Sequence, residues 1–406
     1  MFAMLDNIEH GERRKMISNV YAKSYIMTPP VEQLIQEKTR DYLARIARQL
    51  TSDLFLEFHF LGMDIITKHV YGESGETFSL TGKVEEHTHL LDDIIGQPKS
   101  DWIWSTIHFP KLTEWATEPG WFNTVCQTLH IVRKTRFPYT SMREYAYDAA
   151  VKYYKEAVGT ENASVMSKMV KYHHSQGGDL SDADLAAEGA DHFLAGADTT
   201  AETLTYLLWQ ISRPGFEHIQ EKLRAELKTI DYDSTGIPAL RPVDKLPYLN
   251  AVINETLRVY PAIPMSEQRV APAKGATIYG YNIPAGTICS LQPHTENNNP
   301  RVFPDPEKFD PERWMIDHES EQYKEMNRTM WTFSSGGRMC IGLQYFSSSI
   351  VFNNSLALAQ MQICLAATYR KYRTKISPMT TDDMMEVDDG ITSAGPIVLP
   401  HRANKS

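Results

Sequence analysis

Phe333-Ser334-Ser335-Gly336-Gly337-Arg338-Met339-Cys340-Ile341-Gly342 sets one cysteine among small residues, with an arginine two positions ahead of it. Such a stretch is a loop that presents a thiolate. Glycines at 336, 337 and 342 allow positive φ and a close approach to a flat object. Amide N–H groups beyond Cys340 can point at its sulfur and favour the thiolate. Arg338 brings a permanent cation to any nearby carboxylate or phosphate. A soft thiolate suits iron or zinc better than a hard cation. The plainer alternative is a Gly/Ser loop around an inert, buried cysteine.

The spacing Phe-x-x-Gly-x-Arg-x-Cys-x-Gly, carried by Phe333, Gly336, Arg338, Cys340 and Gly342, resembles the heme-ligand loop of the cytochrome P-450 family of heme-thiolate monooxygenases. Five fixed residues match by chance about once in three million windows. The resemblance implies heme b, iron protoporphyrin IX, with Cys340 as the axial iron ligand. It puts Arg338 on a heme propionate and Phe333 beside the sulfur.

The chain has 406 residues, 23% charged and 42% hydrophobic, a globular composition. A net charge of −10 argues against a nucleic-acid partner. The four cysteines, at 126, 289, 340 and 364, form no C-x-x-C pair, which excludes a disulfide scaffold or a common zinc ribbon. No run of eighteen apolar residues occurs; the nearest, Leu54 to Tyr71, is interrupted by Glu57, His59, Asp64 and Lys68.

Near the start, Glu9 to Lys15 reads as a charged helix. His10 and Arg14 match the spacing of a family helix whose two residues reach a propionate; a solvated basic face is the alternative. Because this motif comes so early, the family fold is expected to lack its N-terminal part, through a truncated gene model or a fragment. Val31 to Leu50 reads as an amphipathic helix and Leu54 to Val70 as a more buried one. Leu90 to Phe137 is aromatic and irregular, and Arg143 to Val158 is helical.

Ser181 to Ser212 is the second informative stretch. Ser181 and Asp184 form a capping-box pattern, and Arg213-Pro214-Gly215 ends the run. A helix of this length spans roughly 40 Å, and its apolar faces imply burial. Within it, Ala195-Gly196-Ala197-Asp198-Thr199-Thr200 resembles the family's oxygen-binding groove. The resemblance gives Thr199 the oxygen-side hydrogen bonds and Asp198 the proton relay. An acid beside an alcohol suits a reaction that consumes two protons; the alternative is a helix with a polar bend.

Glu255 and Arg258 lie on one helical face, at a spacing that usually makes a surface ion pair. In the family this pair is buried and joins an arginine in a Pro-Glu-Arg segment, here Pro311-Glu312-Arg313, followed by Trp314 where Phe is commoner. The constellation reads as structural. Arg269 matches a further propionate arginine and His294 a heme-edge histidine, although a satisfied loop histidine is an equal reading. Thr277 to Gln292 is expected to form paired strands around 281–286. After Leu343 the family enters a helix within two or three residues, whereas here Leu356-Ala357-Leu358 comes later. Residues 344–355 are therefore expected to be an insertion, a retained intron or else a genuine loop or a longer helix, and either way the packing of the following helix is in doubt. The tail from Thr374 is expected to be loop and short strand.

The expectation is a mainly α fold with a minor β portion, one heme-binding oxygenase domain over 1–406. Its function would be insertion of one atom of O2 into an apolar small molecule, in secondary metabolism of the fungal microsomal type. Electrons would come from an NADPH-dependent cytochrome P-450 reductase, with Arg13, Lys15, Arg370, Lys371 and Arg373 as docking charges. A full-length family member would sit on the cytosolic face of the endoplasmic reticulum membrane; this sequence shows no spanning segment. Three other readings stay open: a heme-thiolate isomerase or dehydratase, a non-catalytic remnant, and a cysteine hydrolase using Cys340.

Overall fold

The computed structural model of the chain describes residues 7–49, 51–82, 84–95, 121–128, 140–156, 164–175, 181–342, 355–381, 385 and 398–399. Most of the aromatic stretch 90–137, the segment 344–354 and nearly all of the tail beyond 381 therefore lie outside the described residues.

Helices dominate: α1 (Asn7–Ile17), α2 (Pro29–Ile46), α3 (Leu54–Tyr71), α4 (Val84–Ile95), α5 (Trp121–Thr128), α6 (Thr140–Glu156), α7 (Val165–Ser175), α8 (Asp182–Ser212), α9 (Glu217–Leu227), α10 (Pro247–Val259), α11 (Pro293–Asn297), α12 (Glu321–Thr329) and α13 (Leu356–Lys371). The minor β portion includes β1 (Glu267–Val270), β2 (Ala276–Ile278), β3 (Tyr281–Ile283) and β4 (Ile288–Leu291). The mainly α expectation holds.

The chain divides into two compact units, residues 1–65 with 196–406, and residues 66–195. In the first, α13 is buried on nearly every face and packs against α2, α9 and α10. The doubt about this helix is thus answered: Ser355, the last residue of the expected insertion, is its N-cap, with Oγ accepting from the Leu358 N–H at 3.1 Å. That bond satisfies one of the amides a helix start leaves open.

The strands differ from expectation. β2 and β3 form a tight antiparallel hairpin turning at Tyr279-Gly280, both at positive φ (48° and 83°). β4 pairs instead with β1, matching Arg269 to Cys289 and Val270 to Ile288. The stretch 281–286 is therefore half strand and half turn, and Gly286 takes φ 75°. Sequence alternation gives strand character but not the partner, because register is fixed by turn geometry and by what each face packs against.

In the second unit, α4 and α6 pack together, and the Asp93 carboxylate accepts from the Met142 N–H at 2.9 Å. Thr67 and Thr77 share a buried 3.0 Å hydrogen bond, and Lys68 pairs with Glu76 at 3.1 Å. The start of α8 is capped as its sequence predicts. Ser181 Oγ accepts from the Asp184 N–H at 3.1 Å, and its hydroxyl donates to Asp184 Oδ2 at 2.6 Å.

Candidate functional site

The cysteine loop closes on itself. The Cys340 N–H donates to the Phe333 carbonyl at 3.0 Å, and the Met339 N–H to Gly336 at 3.1 Å, around a single 3-10 turn, Gly336–Arg338. Of the three loop glycines only Gly336 adopts positive φ (71°); the second left-handed position belongs to Ser334 (59°). Serine was not expected there, because a left-handed non-glycine residue is strained and carries no local signal. A Cβ on Gly336 or Gly337 would meet nothing within 4 Å, and one on Gly342 would lie 3.6 Å from Cys340 Sγ. The loop therefore leaves open space beside an exposed thiol, whereas free cysteine is usually among the most buried residue types.

Two arginines from separate segments reach this loop, and a third lies on it. Arg14, on α1, donates Nη1 to the Met339 carbonyl at 2.7 Å. Arg269, on β1, donates Nη2 to Ser334 Oγ at 2.7 Å and also contacts Glu267 at 3.3 Å. Arg338 donates Nη2 to Asn7 Oδ1 at 2.9 Å, tying the loop to the start of α1. Burial lowers the pKa of the Arg14 guanidinium from its ordinary value, while the neighbouring Cys340 acts in the opposite direction. His10, one turn before Arg14, is buried. His294 is exposed on α11. That short helix is fastened to the approach to the loop: Asn297 Nδ2 donates to Thr332 Oγ1 at 2.9 Å, and the Trp331 N–H donates to Asn297 Oδ1 at 2.7 Å.

The predicted ion-pair constellation is present and buried. Glu255 takes five hydrogen bonds: from Arg258 Nε (2.9 Å) and Nη2 (2.8 Å), Arg313 Nε (3.0 Å), the Asp310 N–H (2.9 Å) and Trp314 Nε1 (2.9 Å). Arg258 also donates to the Asn297 carbonyl at 3.0 Å, so the cluster holds α11 as well. The buried carboxylate is thus fully satisfied, as an ion pair away from water must be. The tryptophan that departs from the commoner phenylalanine adds a donor that phenylalanine lacks.

On α8, burial lapses at mid-helix. Phe193, Ala197 and Ala201 are buried, yet Ala195 is exposed and Asp198 and Thr199 are half-buried. Positions 195, 198 and 199 share a face by helical spacing, so small and polar residues open one side of an otherwise packed helix. Asp198 Oδ1 lies 3.1 Å from His59 Nε2, and His59 Nδ1 lies 2.7 Å from the Phe55 carbonyl. This partner was missed. Its signal was in the sequence, since a histidine inside the apolar run 54–71 needs a polar partner when buried. Gly62, one turn beyond His59, lets α3 and α8 touch: a Cβ there would lie 2.6 Å from the Ala197 carbonyl oxygen.

The cysteine loop fits a heme. An accessible thiol, a loop with room for a flat group, and several guanidiniums able to meet two carboxylates are the donor set that group requires. A surface cleft lined by Gln210, Phe216, Tyr248, Tyr260 and Asp310 includes none of the predicted site residues. Among the described residues no cluster of His, Cys, Asp and Glu could hold a bare metal ion, and no helix is long and apolar enough to cross a membrane.

Residues 4–396 match the family described as Cytochrome P450. The chain is 28% identical over 417 residues to cytochrome P450 monooxygenase hkm5 of Aspergillus hancockii, covering 99% of this chain and 74% of the relative. It is 30% identical over 398 residues to cytochrome P450 monooxygenase tazI of Aspergillus terreus, covering 95% and 73%. A shorter match, 32% over 223 residues, is to cytochrome P450 monooxygenase stcB of Emericella nidulans, covering 54% and 39%. The family match runs from residue 4 through 344–355, and gives the expected truncation and insertion no support.

Proposed function

The chain belongs to the cytochrome P450 family, and from that premise we propose that it is a heme-thiolate monooxygenase placing one atom of O2 into an apolar small molecule. The observation that carries this reading is the exposed Cys340, on a loop that carries Arg338 and is reached by Arg14 and Arg269. The Cys340 thiolate would hold heme b, which would supply the oxygen chemistry when bound.

The protein's own part is binding, orientation and proton supply. Arg14, Arg269 and Arg338 would hold the two propionates by charge-assisted hydrogen bonds, with His10 and His294 along the same edge. Phe333 would cover the sulfur, and Gly336 and Gly342 would let the loop come close to the ring. On the oxygen side, Thr199 would hold water through its hydroxyl and Asp198 would pass protons from its carboxyl. Glu255, Arg258 and Arg313 fix the framework and take no part in chemistry. Residues 1–406 would act as one oxygenase domain.

Electrons would come from an NADPH-dependent cytochrome P-450 reductase, on the cytosolic face of the endoplasmic reticulum membrane. The exposure of Lys15, Arg370, Lys371 and Arg373 supports a basic docking face, although cations at the end of α13 also complement its dipole. The fungal monooxygenases among the relatives support a substrate of secondary metabolism.

The test is the reduced, carbon monoxide-treated spectrum of the heme-loaded chain. The red-shifted Soret band of thiolate ligation is expected, and Cys340→Ser should abolish it. A band typical of histidine ligation overturns the reading. With reductase present, Thr199→Ala should raise NADPH consumed per product. Turnover without NADPH would select the isomerase or dehydratase, and a normal band with no turnover of any substrate would select the remnant.

A further inference from the structure

From the geometry around His59 we infer that this residue is the proton store and positioning residue for Asp198, an assignment that rests on the oxygenase reading of the Asp198–Thr199 pair. The ring of His59 has no exposed surface, and the Asp198 side chain keeps 16% of its own. The Phe55 ring lies 4.3 Å from the imidazole, tilted by 54°, and limits its rotation.

Hydrogen-bond counting fixes the protons. Nδ1 faces the Phe55 carbonyl at 2.7 Å, an oxygen that only accepts, so Nδ1 carries a hydrogen. Nε2 faces Asp198 Oδ1 at 3.1 Å. An ionised carboxylate also only accepts, so Nε2 must carry a hydrogen too. A neutral imidazole beside a carboxylate would leave two acceptors facing each other in a buried place, which is costly. The pair therefore holds one extra proton. It rests on Nε2, because the partly exposed carboxylate keeps some solvation while the ring's charge is paired.

The titratable surroundings agree. Among the described residues Asp198 is the acid bonded to the ring. On the ring's own helix, Glu57 is engaged by Arg45 at 2.7 Å, and Asp64 is buried. Arg45 and Glu57 thus satisfy each other rather than competing for His59.

The burial also dictates direction. With Nδ1 bonded to Phe55 and no surface open to water, the proton on Nε2 has one exit, through Asp198. The proton passes from Nε2 to Oδ1, Asp198 releases one from its carboxyl toward Thr199 and water, and the ring is left neutral. The return runs by the same route, a solvent proton entering through Asp198. His59 is a dead-end reservoir, not a link in a through-going wire. Gly62 makes this possible by letting α3 and α8 approach until Nε2 and Oδ1 meet.

The test uses the full chain labelled with 15N-histidine, heme-loaded, reduced and CO-bound so that it is diamagnetic, and also without heme. The His59 resonances are identified by their loss in His59→Gln. At pH 7 both His59 nitrogens should show protonated shifts, and Asp198→Asn should return Nε2 to the unprotonated position. An unprotonated Nε2 in the unsubstituted chain, or a state unmoved by Asp198→Asn, overturns the proposal. The second readout is the coupling ratio. His59→Gln can still donate a hydrogen bond to Asp198 but stores no proton. It should keep the CO band and substrate affinity while product per NADPH falls about tenfold. Retained coupling in that variant would assign His59 a merely structural role and overturn the store. Loss of the thiolate band in the unsubstituted chain would sink the oxygenase reading instead, and the protonation measurement stands apart from it.

Discussion

The indole nitrogen of Trp314 donates a 2.9 Å hydrogen bond to Oε2 of Glu255, inside a cluster where the Glu255 and Arg258 side chains have no exposed surface. Glu255 joins α10 to the Pro311–Trp314 turn, and Arg258 carries the connection on to α11. Removing the carboxylate would strand the buried Arg258 charge, which costs about 3–5 kcal/mol. Glu255→Ala should therefore cut stability by that order and prevent heme retention, whereas Trp314→Phe loses one donor to a charged acceptor and should cost about 1–3 kcal/mol. Urea unfolding of the two variants checks the ranking, and equal losses would mean that Trp314 serves as more than a donor.

Gly62 gives a prediction in which two magnitudes oppose each other. Alanine in a helix interior is favoured over glycine by about 1 kcal/mol. Its Cβ, however, would lie 2.6 Å from the Ala197 backbone oxygen, and overpacking of this kind costs about 1–3 kcal/mol. The backbone atom cannot swing aside as a flexible side chain could. Gly62→Ala should thus lower Tm by a few degrees and weaken the His59–Asp198 contact, visible in the same 15N-histidine spectra. A raised Tm would show that α3 and α8 separate at little cost.

Thiol reactivity should divide by burial. Cys364 is fully buried, and desolvation pushes its thiol up to about 12 despite a hydrogen bond with Thr368. Cys340 is exposed. The thiolate is the nucleophile. Iodoacetamide at pH 8 should label Cys340 in the heme-free chain and spare Cys364, as read by peptide mass mapping, and heme loading should protect Cys340. Rapid labelling of Cys364 under native conditions would contradict its burial.

Glu57 should leave a mark on the pH dependence of stability. Burial raises its pKa above the ordinary 4.5, although Arg45 and Gln49 pull the other way. The native state therefore binds this proton more tightly than the unfolded chain. Below the ordinary value both states are protonated and Glu57 contributes no difference. As pH climbs through it toward the raised native value, the unfolded chain releases its proton first and stability falls. The Tm of Glu57→Gln, taken relative to the parent chain, should rise between about pH 4 and pH 7. A constant difference over that range would place the Glu57 pKa at its ordinary value.

The sequence by itself determined the local chemistry. The spacing around Cys340 announced a tight loop that presents a thiol. The capping pair Ser181 and Asp184, and the stop at Arg213-Pro214-Gly215, bounded the long helix to within one residue. The pair Glu255 and Arg258 pointed to the buried ion-pair cluster. These signals are legible because each depends on neighbours along the chain, through helical periodicity, caps and turn chemistry. Only the tertiary structure decided which distant groups meet. His59 and Asp198 lie 139 residues apart, and Arg14 and Met339 lie 325 apart. It also showed Ser334, not Gly337 or Gly342, in the second left-handed position, and paired β4 with β1 rather than with its hairpin neighbour. Such pairings follow from how helices and strands pack. A one-dimensional pattern can show that a buried histidine or arginine needs a partner, but the packed core selects which one.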